Sequence, residues 1–448
     1  MNIIIAGAGE VGRHAAEVLA GAGHNIVMID MSLETLEAIE DTLDVRTLHG
    51  MACDAQVLGE AGVATCDLLV AATDADETNL LCATVAKSFG AKKTIARAHH
   101  STYHPGSGTD FAARLNIDAL VFPEYLTALE IARIVRNPGA MAIEHFARGR
   151  IEMQQLAVSP DASALGQPLI DLRDKLPHGF LLGTVERGGE VFIPDANTVL
   201  EAGDIVTMLG ETAMFEKVKR VFQTGREPRR SMVIMGGSAT GVWLSRQFRG
   251  QPFSIRLFVR RRVRAEELSN KLDHVTVIEG DPTSLATFSE ERIEDADVFI
   301  ALSEDDEHNI LAAVQAKSMG VERSIVVIQR PTYLNLLEQI GLDRAFSPRI
   351  IAAREILRIA DESPVQLMAT LAEGVADVYQ VLPHEDSAAV GRPLISVQFP
   401  PGVMVAAVQR GDDVRVFTAE DHIEPGDAIV VIARHGMERE LRKFFLGR

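Results

Sequence analysis

The segment from Asn2 to Gly12, which reads NIIIAGAGEVG, decides the fold of this chain. An apolar run typical of a buried strand leads into three glycines spaced G-x-G-x-x-G, and a helical pattern follows. The first glycine permits a tight turn, the second lets the backbone approach a pyrophosphate, and the third lets helix and strand pack closely. The segment therefore predicts a dinucleotide-binding loop, whose residues are Gly7, Ala8, Gly9, Glu10, Val11 and Gly12.

A carboxylate at the end of the next apolar run points to the type of dinucleotide. Asp30 follows Gly12 by eighteen residues and ends the predicted strand Asn25–Asp30. A carboxylate there accepts hydrogen bonds from a ribose diol and repels a 2′-phosphate, which favours NAD(H) over NADP(H). The alternative is a glycine-rich turn of a strand–helix unit that holds no ligand.

The chain is a tandem duplication of a unit of about 220 residues. Five segments recur in the same order at an offset of 223 to 233 residues. The matching segments are Ile5–Gly12 with Ile234–Gly241, Thr73–Asn79 with Ser303–Asn309, Ile95–Arg97 with Ile328–Arg330, Gly166–Leu169 with Gly391–Leu394, and Glu201–Asp204 with Glu424–Asp427.

Each unit is expected to contain two modules. The N-module alternates short apolar strands with helices, as a doubly wound parallel sheet of the Rossmann type does. The C-module alternates like a small, mostly β domain with a closing helix, Glu211–Phe222 in the first unit. The fold class is therefore α/β, with two Rossmann-like sheets that are each followed by a small α+β module. The predicted boundaries are 1–138, 139–226, 227–365 and 366–448, with residues 226–230 as the linker between units.

The second glycine loop departs from the fingerprint. Its residues are Gly236, Gly237, Ser238, Ala239 and Thr240, so a serine replaces the middle glycine. The Ser238 side chain is expected to crowd a pyrophosphate, and Val259 ends the strand on which a carboxylate is expected. Ordinary NAD binding is therefore not favoured here. The arginines at 260, 261 and 262 are interpreted as a solvated charge run rather than an anion site.

Four further residues lie where strands end and ligands bind in such sheets. Thr73 and Asp74 end the fourth strand, Asn79 lies one turn into the following helix, and Arg97 ends the fifth strand. Thr73 or Asp74 alternatively serves as a helix cap, and Arg97 as a surface ion-pair partner.

Composition excludes several classes of protein. The 448 residues include 44 Lys and Arg against 63 Asp and Glu, a net charge of −19, which disfavours a nucleic-acid partner. No apolar run is long enough to span a bilayer, and no secretion signal is expected. The three cysteines form no CxxC pair, and His99, His100 and His104 lack the fourth ligand that a metal site needs. Without a catalytic set, a sensor is favoured over an enzyme.

Taken together, these motifs resemble the family of regulators of potassium conductance, whose units are called RCK domains. The resemblance covers the whole chain and depends on the first glycine loop with Asp30, on residues 70–79, on residues 95–97 and on the tandem order of the modules. The segment 136–140 resembles the family's junction between its two modules.

The resemblance implies a function. N-modules of the family assemble into a ring, here expected to be a homo-tetramer, beneath a membrane potassium-translocating subunit, and nucleotide changes the ring's shape. The chain is then a cytoplasmic regulatory subunit, peripheral to the membrane and not an enzyme. Contacts to NAD(H), ATP or ADP would come from Gly7, Gly9, Glu10, Val11, Asp30, Thr73, Asp74 and Arg97. The second-site counterparts would be Gly236, Gly237, Ser238, Ala239, Thr240, Ser303, Glu304 and Arg330, at a site that is either structural or binds ATP or ADP instead of NAD.

Two other functions remain open at this point. An NAD-dependent oxidoreductase would need a proton-relay group and a substrate pocket, neither of which the sequence shows clearly. A nucleotide sensor with a different, soluble partner would share every motif named above.

Overall fold

The first N-module contains a six-stranded parallel sheet in the computed structural model, which describes residues 1–136, 141–142, 151–172, 179–211, 215–222, 230–361, 363–371, 375–411 and 413–447. Its strands are β1 (Asn2–Ala6), β2 (Asn25–Asp30), β3 (Arg46–His49), β4 (Leu68–Ala71), β5 (Lys93–Arg97) and β6 (Ala119–Val121). Its helices are α1 (Glu10–Gly21), α2 (Leu33–Glu40), α3 (Ala55–Glu60), α4 (Asp76–Ser88), α5 (Phe111–Arg114) and α6 (Pro123–Arg136).

The strand order β3-β2-β1-β4-β5-β6 is that of a doubly wound nucleotide-binding sheet. Both faces of the sheet are covered, which explains why β1 is a continuous apolar run and does not alternate. Ile3 and Ile5 face one core cluster, whereas Ile4 and Ala6 face the other. The reversal of strand order between β1 and β4 opens the crevice in which the glycine loop lies.

The first C-module is an antiparallel sheet of order β10-β9-β11-β8-β7. Its elements are β7 (Met141–Ala142), β8 (Ile151–Ala157), α7 (Leu169–Leu172), β9 (Phe180–Arg187), β10 (Glu190–Phe192), β11 (Ile205–Glu211) and α8 (Phe215–Phe222). The predicted helix start at Glu211 is wrong, because β11 extends through that residue and pairs it with Ile151. The segment 137–140 and linker residues 226–229 lie outside the described residues, and Arg230 already belongs to the next strand.

The second unit repeats this architecture. Its N-module contains β12 (Arg230–Met235), α9 (Ala239–Gln247), β13 (Phe253–Val259), α10 (Arg262–Lys271), β14 (Thr276–Glu279), α11 (Leu285–Glu290), β15 (Val298–Ala301), α12 (Asp306–Ser318), β16 (Arg323–Val327), α13 (Leu334–Gln339), β17 (Arg344–Phe346) and α14 (Pro348–Ala360). The C-module contains β18 (Val365–Leu371), β19 (Ala376–Val381), β20 (Val403–Arg410), β21 (Asp413–Val416), β22 (Ala428–Arg434) and α15 (Glu438–Leu446). Two Rossmann-like sheets, each followed by an antiparallel module, confirm the predicted fold class.

Like modules associate with like. The two parallel sheets form one compact unit of the structure and the two antiparallel sheets form another. In the second of these units, Met153 and Leu209 share a core with Val378, Val430 and Ile432. The N-module and the C-module of one repeat therefore belong to different units, and each N-module packs against the N-module of the other repeat.

In the contact between the N-modules, the last helix of each module packs on the first helix of the other. Helix α14 of the second N-module packs on α1 of the first, where Ala352, Ala353 and Ile356 join the core that contains Ile5. The Lys93 ammonium donates to the carbonyl of Ile359 at the end of α14, at 2.6 Å. On the other side of the contact, Tyr125 of α6 and His104 pack against Trp243 of α9, with ring centroids 5.0 and 4.9 Å away.

No helix among the described residues is long and apolar enough to cross a membrane.

Candidate functional site

The first glycine loop makes its turn at a residue that only glycine tolerates. Gly7 has a φ of +107°, and a Cβ atom there would lie 2.8 Å from the backbone of Ala72 and Thr73. Its N–H donates to the carbonyl of Ile29 at 2.8 Å, which fixes the loop between β1, β2 and β4. A Cβ on Gly12 would overlap the carbonyl oxygen of Gly7, so the third glycine lets α1 pack directly against the loop.

Gly9 differs from these two glycines because the protein itself does not require it. It is the N-cap residue of α1 with ordinary extended angles, φ −67° and ψ −179°. Apart from its chain neighbours, no atom of the described residues lies within 4 Å of the place a Cβ would take, and the helix has no side-chain capping bond. The first N–H groups of α1 therefore face open space at the positive end of the helix dipole, where anions bind.

Asp30 holds the loop from the neighbouring strand. One carboxylate oxygen accepts from Ala8 N–H at 2.7 Å, and the other accepts from Ser32 N–H at 2.9 Å. Each carboxylate oxygen has a second acceptor site, so the group retains capacity for a diol. The carboxylate thus lies beside the loop, at the place in which the fingerprint expects the ribose.

Asn79 is fully buried and its amide is occupied by the protein. Its oxygen accepts from the N–H and the hydroxyl of Thr73, at 2.8 and 2.7 Å. Its nitrogen donates to the carbonyls of Thr73 and Arg97, at 2.9 and 3.0 Å. Asn79 therefore positions two of the predicted site residues and presents no free polar atom of its own.

Arg97 is a desolvated cation at the end of β5. Its side chain is 11% exposed, and burial lowers the pKa of the guanidinium, against the opposing effect of Glu124 and Asp74. The Asp74 carboxylate, which is fully exposed, lies 3.5 Å from Nη1. Nε is buried with no hydrogen-bond partner among the described residues. A cation that is both buried and incompletely paired favours an anionic ligand.

These elements surround a cleft of about 260 Å³. Its lining residues are Ala8, Gly9, Glu10, Val11, Arg13, Thr35, Ala38, Ile39, Asp74, Arg97 and Arg349. The structure thus brings the glycine loop together with Asp74 and Arg97. The lining does not include Gly7, Gly12, Asp30, Thr73 or Asn79. Asp30 nevertheless borders the cleft through its hydrogen bond to Ala8, which lines it.

Sequence reasoning missed three polar residues of the lining. Arg13 lies one helical turn after Glu10 on α1, a spacing that signals a shared face. Thr35 lies on the first turn of α2, which Ser32 caps. Arg349 comes from α14 of the second N-module, and no local pattern in the sequence predicts that contact.

The second glycine loop has the same backbone but is filled by its own side chains. Gly236 has a φ of +119°, and a Cβ there would lie 2.7 Å from Ser303 N. Ser238 replaces Gly9 as N-cap; its hydroxyl donates to Leu302 O at 3.0 Å and accepts from Gly241 N–H at 3.4 Å. The serine side chain thus satisfies part of the helix terminus that is open in the first copy.

Two other side chains occupy the surroundings of this loop. The guanidinium of Arg264 donates twice to the carbonyl of Gly237, at 3.0 and 2.9 Å. Methyl groups of Val259 lie 3.3 Å from the place a Cβ of Gly237 would take, where the first copy has a carboxylate. Arg260, Arg261 and Arg262 are exposed, which agrees with a solvated charge run.

The predicted equivalence of Arg330 with Arg97 is wrong. Asn79 donates to the carbonyl of Arg97, and its counterpart Asn309 donates to the carbonyl of Val327. Val327 therefore takes the place of Arg97, with an apolar side chain. Arg330 corresponds to His100 instead, because the N–H groups of both residues bond the carboxylate at the start of the preceding helix.

The loop histidines are engaged individually. His99 bonds Glu124 at 2.8 Å, His100 bonds Asp76 at 2.7 Å, and His104 packs among aromatic rings. Within the described part of the chain, no group of three His, Cys, Asp or Glu side chains is arranged to hold a metal ion. Burial raises the pKa of the Cys66 thiol to about 11 and that of Cys82 to about 12, so neither is a ready nucleophile.

Comparison with known proteins matches both repeats. The model of the TrkA-N domain matches residues 3–123 and 232–348, and that of the TrkA-C domain matches residues 153–223 and 378–446. Among solved structures, "GsuK channel bound to NAD" is similar with a TM-score of 0.61 at 17% identity, covering all of this chain and 79% of that one. "Crystal structure of the GsuK bound to ADP" is similar over 80% of this chain and 69% of that one, with a TM-score of 0.51 at 14% identity.

Similarity in sequence extends over nearly the whole chain. "Trk system potassium uptake protein TrkA" of Haemophilus influenzae is 32% identical over 96% of this chain and 95% of its own length. This chain therefore belongs to the TrkA family of Trk system potassium uptake proteins.

Proposed function

We propose that this chain is the nucleotide-sensing subunit of a potassium uptake transporter, and that it regulates a membrane partner without catalysing a reaction. It acts in the cytoplasm, peripheral to the inner face of the membrane, on a potassium-translocating subunit of the TrkH or TrkG type. The observation that carries the proposal is the cleft at the first glycine loop, in a chain of the TrkA family. The four segments 1–138, 139–226, 227–365 and 366–448 are its proposed domains.

The proposed ligand is NAD(H), with ATP or ADP as competitors. An open helix terminus at Gly9 and the cation of Arg97 suit phosphates, and Asp30 suits a ribose diol. The solved neighbours were obtained with NAD and with ADP, which share an adenosine diphosphate. Gly7, Gly9, Glu10, Val11, Asp30, Thr73, Asp74 and Arg97 are the proposed contact and shaping residues, and Asn79 positions two of them.

One nucleotide per chain is proposed, at the first loop. Ser238 caps the second helix, Arg264 binds the second loop, and Val259 and Val327 replace the two charged residues of the first site. The second N-module then serves as a structural partner of the first.

A nucleotide regulates only if it binds two conformations with different affinity. The glycine loop and the Thr73–Asp74 turn belong to separate strand–helix units, so a ligand between them favours one arrangement of the N-modules. In a ring of such modules that change reaches the membrane partner as a change of shape.

A homo-oligomeric ring, proposed to be a tetramer, has a candidate contact surface. Leu81 of α4 and Phe89, which caps the C-terminus of that helix, are 52% and 46% exposed. Their equivalents, Leu311 of α12 and the capping residue Met319, are 68% and 37% exposed. Exposed apolar stripes of this kind mark association surfaces. A Leu81→Asp, Leu311→Asp double variant is expected to lower the molar mass in analytical ultracentrifugation, with Leu33→Asp as an equally exposed control.

Calorimetric titration of the purified chain with NADH, NAD, ATP and ADP tests the ligand. Micromolar binding of about one nucleotide per chain is expected. Potassium uptake by cells that lack the chain tests the regulation, and unchanged uptake would contradict it. Steady NADH consumption with an added substrate would favour an oxidoreductase, and co-purification with a soluble protein instead of a polytopic one would favour a different partner.

A further inference from the structure

Arg349 reaches the first nucleotide cleft from the other repeat. It lies on the first turn of α14, directly after Pro348, and lines the cleft together with Arg97 and Arg13. The helix is held there by its packing on α1 and by the bond from Lys93 to the carbonyl of Ile359. A residue more than three hundred positions from the glycine loop is thus part of the same wall.

Arg349 carries a charge that forms no ion pair among the described residues. The carboxylates of Asp74 and Glu10 nevertheless line the same cleft. The side chain also lies at the positive end of α14, whose N-cap Ser347 makes no capping bond. A cation at a helix N-terminus is electrostatically unfavourable, and an anion between it and Arg97 removes the conflict.

We propose that Arg349 is a phosphate-binding residue that the second N-module contributes to the nucleotide site of the first. A bound nucleotide then lies with its phosphates between Arg97 and Arg349 and links the two N-modules. The inference depends on the proposed nucleotide binding, and it adds that both repeats hold the ligand.

The equivalent residue of the other repeat has the opposite charge. Ala98 bonds Val121 as Ile328 bonds Phe346, which makes Glu124 the counterpart of Arg349. Glu124 accepts a hydrogen bond from His99 at 2.8 Å and belongs to a helix that approaches α9 of the second N-module. A carboxylate at this position repels a phosphate, whereas the guanidinium of Arg349 attracts one.

The test is calorimetric titration of the full chain with NADH, ADP and adenosine. Arg349→Ala is expected to weaken NADH and ADP binding about tenfold to hundredfold, the range for a charge-assisted hydrogen bond. Arg349→Lys, which keeps the charge, is expected to recover part of the loss. Any affinity for adenosine should be unchanged, because adenosine carries no phosphate.

Arg354→Ala is the matched control. Arg354 lies on the same helix, is 68% exposed and pairs with Glu130 of the first N-module at 3.6 Å, outside the cleft lining. Its loss removes an ion pair between the same two modules, and nucleotide affinity should stay within about twofold of the unaltered chain. Equal affinity of Arg349→Ala and the unaltered chain, or equal losses in Arg349→Ala and Arg354→Ala, would overturn the inference while nucleotide binding itself stands. Failure of the unaltered chain to bind NADH and ADP would overturn both.

Trp243 provides a second readout, because it is the only tryptophan of the chain and lies at the contact between the N-modules. Saturating ADP, which does not absorb where tryptophan emits, should change its fluorescence in the unaltered chain. The change should be much smaller in Arg349→Ala at a concentration of ADP that also saturates the variant. An identical change in both proteins would contradict a ligand that links the modules.

Discussion

At residue 9 the first glycine loop has no side chain, whereas the equivalent Ser238 of the second loop places a hydroxyl over its own helix terminus. The turn glycines Gly7 and Gly236 are nevertheless alike, with φ of +107° and +119° and equally close backbone neighbours. Comparison of the two loops therefore distinguishes the glycines that the fold requires from the glycine that ligand binding requires. Positions that keep glycine in both copies serve the fold, and positions that keep it in one copy serve what binds there.

The largest expected effect is on stability and should be equal in the two copies. Gly7→Ala and Gly236→Ala each put a Cβ within 2.8 Å or less of backbone atoms at a positive φ, which should cost about 3 kcal/mol. Chemical denaturation measures the loss. Gly23→Ala, at a φ of +81° with open space around it, is the control and should cost about 1 kcal/mol. A clear difference between Gly7→Ala and Gly236→Ala would break the comparison.

The next effect should appear in one copy only. Asp30→Ala is expected to weaken NADH binding about tenfold to hundredfold, since it removes an acceptor for the ribose diol and the bond that holds Ala8. Val259→Ala, at the equivalent strand end, should leave the affinity unchanged. Calorimetry with both variants decides whether the ligand lies at the first loop, and an effect of Val259→Ala would argue for binding at both.

A smaller effect is expected when the first loop is made to resemble the second. Gly9→Ser should weaken NADH binding about tenfold, because the new side chain occupies the approach to the helix terminus. Stability should change by only a few tenths of a kcal/mol, since Ser and Gly are both accepted at an N-cap. Unchanged affinity for NADH would show that the open space beside Gly9 is not used by the ligand.

The smallest expected effect is a pH dependence of stability, which arises from the His100–Asp76 pair of the first copy. Hydrogen bonding to Asp76 raises the pKa of His100 above its ordinary value of 6.5. The equivalent position of the second copy is occupied by Arg330 instead of a histidine. The pair stabilises the fold fully below pH 6.5, and its contribution is lost as the pH rises through the raised pKa. Because His100 is exposed, the contribution should be under about 1 kcal/mol.

An NMR titration of His100 and thermal melting between about pH 5.5 and about pH 8 measure this contribution. His100→Arg should remove the dependence. A melting temperature that falls equally in the variant over this range would assign the effect to another group.

Local patterns predicted most of the fold, but register errors misplaced individual site residues. The strand runs follow from apolar periodicity and the glycine loops from positive φ, both of which are properties of neighbouring residues. The match of Arg97 with Arg330 failed because it paired the similar triplets 95–97 and 328–330 at an offset of 233 residues. The bonds of Asn79 and Asn309 to the carbonyls of Arg97 and Val327 show that the offset here is 230. The sequence position of Asn79, one turn into the helix after a strand end, predicts a ligand contact. In the fold the side chain is buried and has a structural role.

The order of residues along the chain specified two Rossmann-like sheets, two small β modules and one intact glycine loop, since short-range sterics and hydrophobic periodicity act over a few residues. Tertiary packing decided which modules pair and which residues line the cleft. Helix α14 crosses to the other repeat because its apolar face finds a partner on α1, and Arg349 is carried into the cleft with it. A contact over that separation has no local signature, because it depends on the burial of whole helix faces and not on the chemistry of adjacent residues.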